Sequence, residues 1–132
     1  MGNPRYSNGH ARRTLAHWLK LQQRGCWICR AFGLPARIDY EAHHLDARAF
    51  TVDELTPVSK GGDPLDRGNV DSAHRACNTW RGNRSVEEVK RLAVAYRHGA
   101  LRSDMCPPFA RCAPAYAQQL KAKEQRVTSR VW

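Results

Sequence analysis

"VDELTPVSKGGDPLDRGNVDSAHRACNTWRGN" fills residues 52–83, and its reading decides the fold. With the residues before it, "AFTVDELTPV" at 49–58 reads as a strand. The strand carries two adjacent acids, Asp53 and Glu54. A proline, a Gly-Gly pair and an Asp-Pro pair then punctuate a long polar loop. A second short strand starts at Asn69–Val70 and can pair back with the first. "DSAHRACNTWR" has helical character and stops at Gly82. Strand, loop, strand, helix make a small α+β core.

The flanks are helical. Residues 10–24 place Leu15, Trp18 and Leu19 on one face, with Gly25 as the stop. The stretch "RAFGLPARIDY" at 30–40 is rich in turn residues. "SVEEVKRLAVAYRHG" is the clearest helix. Ser85 and Glu88 form a capping box, and Val86, Val89, Leu92, Ala93 and Tyr96 form its apolar face. Residues 103–114 are a proline-rich connector, and 115–127 suggest a last basic helix. The chain divides into an N-terminal basic helical arm (1–25), the core (26–84) and C-terminal helices with a basic tail (85–132).

At 132 residues and 42% hydrophobic content, the chain is sized for one domain with a small core. The net charge is +10. Residues 1–38 carry seven bases and no acid, 39–72 eight acids against three bases, and 73–132 twelve bases against four acids. An acidic centre between basic flanks suits a metal pocket in a frame that holds phosphates. No apolar run reaches the ~18 residues of a membrane span. The N-terminal residues lack the apolar stretch of a signal peptide, so a cytoplasmic protein is expected.

Five cysteines, an odd number, argue against a disulfide framework in that compartment. Cys26 and Cys29 form a CxxC, a spacing that also suits a redox pair. His74 and Cys77 follow after 44 intervening residues with the same spacing. Zn²⁺ takes four nitrogen or sulfur ligands in a tetrahedron, and two short chelating pairs supply them. On a helix, His74 and Cys77 at i and i+3 share a face. A zinc knuckle of Cys26, Cys29, His74 and Cys77 would therefore staple the front of the chain to its middle. Cys106 and Cys112 are expected as free thiols.

The order of CxxC, "VDELTPVSKGG", Asn69, "AHRACN" and "RGN" resembles the HNH endonuclease family over roughly residues 26–84, in the form carried by bacteriophages and prophages. The resemblance implies a ββα-metal (His-Me finger) core around one catalytic divalent cation, Mg²⁺, Mn²⁺ or Ni²⁺, beside the structural zinc. It makes Asp53 and Asn78 the cation ligands and Asn69 a residue of the catalytic set that pins the loop and orients the catalytic residue. The family's first signature position, a histidine that activates water, is here Glu54. Three roles stay open: Glu54 as general base, Glu54 as a second cation ligand, or His43 or His44 as the base. The implied activity is hydrolysis of DNA phosphodiester bonds. The implied partner is double-stranded DNA, with a phage terminase as a further one in a bacterial host cell, and the chain is expected as a monomer. Lys60, Arg75, Arg81 and Arg84 are the first candidates for DNA backbone contacts, with Arg12, Arg13 and Lys20 as a basic helical face. The competing reading is a zinc-stapled DNA-binding or terminase-associated module without catalysis.

Overall fold

The computed structural model describes residues 8–111. Helix α1 spans Gly9–Leu21 and helix α2 Trp27–Phe32. Strands β1 (Phe50–Glu54) and β2 (Val70–His74) pair antiparallel, with Phe50 opposite His74 and Glu54 opposite Val70. Helix α3 (Arg75–Arg81) follows β2 without a break, and helix α4 (Val86–Arg97) follows α3.

Side chains alternate across the hairpin. One face meets α1: Leu15 and Leu19 are buried there with Val70, and Trp18, Phe50 and Val52 pack around them. The segment expected as an arm thus lends an apolar helix stripe to the hairpin. The opposite face meets α2 and α3. Ile28, Phe32, Ala73, Cys77, Val89 and Ala93 form the main core, joining α2, β2, α3 and α4. The ring of Phe32 meets Trp80 edge-on and lies tilted against Tyr96.

Four element boundaries differ from the sequence reading: helix α1, expected over residues 10–24 with Gly25 as its stop, ends at Leu21, and three more follow. Helix α2 lies partly in the stretch read as turns. Six residues close it between Cys26 and Gly33, whose φ of 71° suits a glycine. Strand β1 stops at Glu54 instead of running to residue 58. The Asn69 side chain binds both the N–H of Thr56 and its carbonyl, each at 2.9 Å, so no ladder continues there. The helix begins after His74, not at Asp71. His74 ends β2 with extended torsions (φ −61°, ψ 142°) and is the residue before α3. The Ser85 cap is present: its hydroxyl accepts from the Glu88 N–H at 3.1 Å. The helix expected at 115–127 lies outside the described residues.

Gly62 makes the long loop compact. A Cβ there would sit 1.7 Å from the Thr56 carbonyl oxygen, so only glycine lets the two backbones touch. The third Asn69 hydrogen bond, to the Asp63 carbonyl at 3.0 Å, closes the loop over this contact.

A candidate metal centre and an adjacent cleft

Cys26, Cys29, His74 and Cys77 converge, all at 0% exposure, with their ligand atoms within 4.8 Å of one another. Cys26 and Cys29 come from the start of α2, His74 from the end of β2, and Cys77 from the first turn of α3. The His74–Cys77 pair therefore bridges a strand–helix junction and does not share one helix face. Zinc bonds of about 2.3 Å to sulfur and about 2.0–2.1 Å to nitrogen imply tetrahedral edges near ~3.8 Å for S···S and ~3.6 Å for S···N. The Cys29–Cys77 sulfurs are 3.7 Å apart, and His74 Nδ1 lies 3.4 Å from Cys29 Sγ and 3.6 Å from Cys77 Sγ. The set has the size and softness to hold a structural metal such as zinc.

The surroundings complete it. His74 Nε2 donates to the Arg37 carbonyl at 2.8 Å, which directs Nδ1 at the thiols. The Phe109 ring meets the His74 ring edge-on at 4.8 Å, and the Arg48 guanidinium lies 4.1 Å over Phe109. Left to themselves, the ligands share protons unequally. Hydrogen bonds with Cys29 and Cys77 push the Cys26 thiol down, while those with Cys26 and Cys29 push Cys77 up. Burial lowers the His74 pKa, but hydrogen bonds to Cys26, Cys29 and the Arg37 carbonyl outweigh it and raise the value to about 10. A divalent ion bound there would take the place of those protons.

Cys106 is disulfide-bonded. The expectation of a free thiol there is corrected, and Cys112 lies outside the described residues.

Helix α3 runs back beneath the hairpin. Its third and sixth residues after Arg75 meet successive β1 residues of one face: Asn78 Nδ2 lies 3.5 Å from Thr51 Oγ1, and Arg81 reaches Asp53. At this end of the hairpin a cleft of about 490 Å³ opens. Asp53, Glu54, Lys60, Asn78, Arg81 and Arg84 all border it. Six residues singled out from sequence thus share one concavity. Asn69 stands behind it as the loop pin, and Arg75 is elsewhere, donating to the Leu45 carbonyl at 3.1 Å.

The two adjacent acids have different surroundings, because neighbours on a strand face opposite sides. Glu54 faces α1 and pairs with Arg12 at 3.2 Å. Asp53 faces α2 and α3 and is 4% exposed. Its Oδ2 accepts from Trp27 Nε1 at 2.8 Å and its Oδ1 from Arg81 at 2.5 Å. Burial pushes the Asp53 pKa up, and Trp27 and Arg81 oppose that shift.

No protein-family model, curated protein or solved structure matches the chain. The site therefore has to be read from its own chemistry.

Arg81, expected to touch phosphate, needs correction. It is 4% exposed, and its guanidinium also donates to the carbonyls of Glu54, Leu55 and Arg84. It is the internal counter-ion of Asp53. His43 and His44 stack on each other at 4.2 Å on the surface and do not border the cleft. They precede the Phe50 end of β1, whereas the cleft lies at its Glu54 end. Sequence reading missed Trp27 and Arg81 as partners of Asp53, Arg12 as the partner of Glu54, and Phe109 as the cover of His74. The first three pairings span 26, 28 and 42 positions, which no local pattern announces. No helix among the described residues is long and apolar enough to cross a membrane.

Proposed function

We propose that this chain is a divalent-cation-dependent DNA endonuclease of HNH type, with Zn²⁺ on Cys26, Cys29, His74 and Cys77 as its structural ion. The observation that carries the reading is the adjacency of Cys77 and Asn78. One step of α3 delivers a thiol to the buried metal set and a carboxamide to a cleft walled by two carboxylates.

The cleft has the donor chemistry of a hard-cation site. Asp53 accepts one hydrogen bond on each oxygen, and a carboxylate has about four acceptor positions, so its capacity is half used. Asn78 adds a carboxamide oxygen. Mg²⁺ commonly takes one or two such protein ligands and keeps several waters. A cation held there would supply charge to a phosphodiester oxygen and to the leaving oxygen. Trp27 and Arg81 fix the direction of Asp53. Glu54, better exposed and held by Arg12, is the group suited to accept a proton from water. Lys60 and Arg84 line the cleft to hold the backbone.

The test is incubation of supercoiled plasmid with pure protein in Mg²⁺, Mn²⁺ or Ni²⁺. Cleavage by the wild type that is lost in Asn78→Ala and Glu54→Gln, with unchanged circular dichroism, supports the reading.

A second reading is favoured by one observation: Arg81 already neutralises Asp53. A non-catalytic, zinc-stapled DNA-binding module would need no second cation. Duplex binding without cleavage in any of the three metals selects it. A place beside a phage terminase rests on the sequence resemblance alone, and co-purification of the two proteins would test it.

A further inference from the structure

We propose that the exposed side of α1, together with Arg24 just past its end and Arg67 from the loop before β2, is a second contact surface for the backbone of duplex DNA. Arg24 and Arg67 are its phosphate ligands. The inference rests on the DNA reading above and extends it to a surface outside the cleft.

Charge is the first support. Residues 9–24 contain Arg12, Arg13, Lys20 and Arg24 and no acid. Preorganisation is the second. The Arg67 guanidinium lies 4.4 Å from the centre of the Trp18 ring, and that of Arg24 lies 5.4 Å from it. Stacking on an indole limits the rotamers of a long side chain, so less entropy is lost when it meets a phosphate. Neither arginine takes part in an ion pair among the described residues, and both are exposed. The neighbouring Asp66 is engaged, accepting from the Gly68 N–H at 2.9 Å.

Continuity with the cleft is the third support. Arg12 begins this ridge and holds Glu54 at the cleft wall. Within α1, residues 12 to 21 rise ~14 Å, about four phosphates along one strand, and Arg24 follows just past the end of the helix. A duplex seated in the cleft would then run along α1. Arginines on a tryptophan also shield the ring from water. That role alone predicts no change in the salt dependence of binding.

The experiment measures fluorescence anisotropy of a labelled 25-base-pair duplex across salt concentrations, for the wild type and for Arg24→Ala/Arg67→Ala. Losing two phosphate contacts should flatten the log–log salt slope by about 2 and weaken binding about tenfold near 0.15 M salt. Cleavage at saturating DNA should stay within about twofold of wild type, as expected for contacts remote from the reacting groups. Arg24→Gln/Arg67→Gln serves if the alanine pair does not fold. Wild-type slope and affinity in these variants would overturn the inference. So would binding of anionic vesicles but not of the duplex. If the slope falls but no metal supports cleavage, the surface stands and the endonuclease reading fails.

Discussion

The two ends of one hairpin, built from two five-residue strands, behave as opposites. At the Phe50–His74 end, three thiols and an imidazole are sealed from solvent, sized for one soft-ligand ion and covered by Phe109. At the Glu54–Val70 end, carboxylates and a carboxamide border an open cleft among basic residues. The contrast separates two tasks. Sulfur ligands without solvent contact cannot exchange reactants, so their value lies in folding. On the reading proposed above, the oxygen groups around the cavity would admit a phosphodiester and water.

The largest expected effect lies at the sealed end. Cys29→Ser, or chelation of the wild type, should abolish the folded state, since structural zinc supplies apparent binding energies of about 10–16 kcal/mol in small domains. Metal analysis should find one zinc per chain, and circular dichroism should lose its helical signal on chelation. Native circular dichroism in the variant would erase the distinction between the two ends.

The next effect tests whether the cleft end is also structural. Asp53→Ala leaves the Arg81 charge buried without its carboxylate, at a cost of about 3–5 kcal/mol. Replacing both, Asp53→Leu with Arg81→Met, removes the unpaired charge but leaves the Trp27 indole N–H and the carbonyls of Glu54, Leu55 and Arg84 without their partners, so it should recover only part of that loss. Thermal melts of the three proteins measure it. If Asp53→Ala melts like the wild type, the pair is not the internal clamp described above.

Asn69→Ala comes third. It removes three backbone contacts of the loop and should cost roughly 1–3 kcal/mol. Proteolysis at residues 56–66 should accelerate accordingly. The smallest stability effect belongs to Glu54→Gln. Its pair with Arg12 is partly exposed, so the melting shift should correspond to under about 1 kcal/mol. The same change should slow cleavage by about 10²–10⁴. A large melting shift with an unaltered cleavage rate would make Glu54 a structural residue and the cleft a mere groove.

The hairpin, the helix after it and the convergence of three thiols with one imidazole were legible in the sequence, because strands, caps and chelating spacings leave local marks. The placement of His74 was not. Helical character from Asp71 onward suggested a shared helix face, while pairing with Phe50 drew residues 70–74 into a strand. Helix α2 was hidden because its six residues are too few to show a helical period. Arg81 was the most misleading residue. An arginine among other bases reads as a surface cation, and only the fold reveals a carboxylate 28 positions away waiting inside. The convergence of Asp53, Glu54, Asn78, Lys60 and Arg84 on one cleft followed from their order. Their hydrogen-bond partners did not, since Trp27 and Arg12 arrive from other elements.

Cys77 and Asn78 are neighbours in the chain, so the metal set and the cleft are joined by a single peptide unit. This makes the sealed end a calibration screw for the open one. A larger ion such as Cd²⁺, with longer bonds to sulfur, would push α3 outward and carry the carboxamide with it. Swapping the ion would thereby retune the cleft by tenths of an ångström without changing a residue.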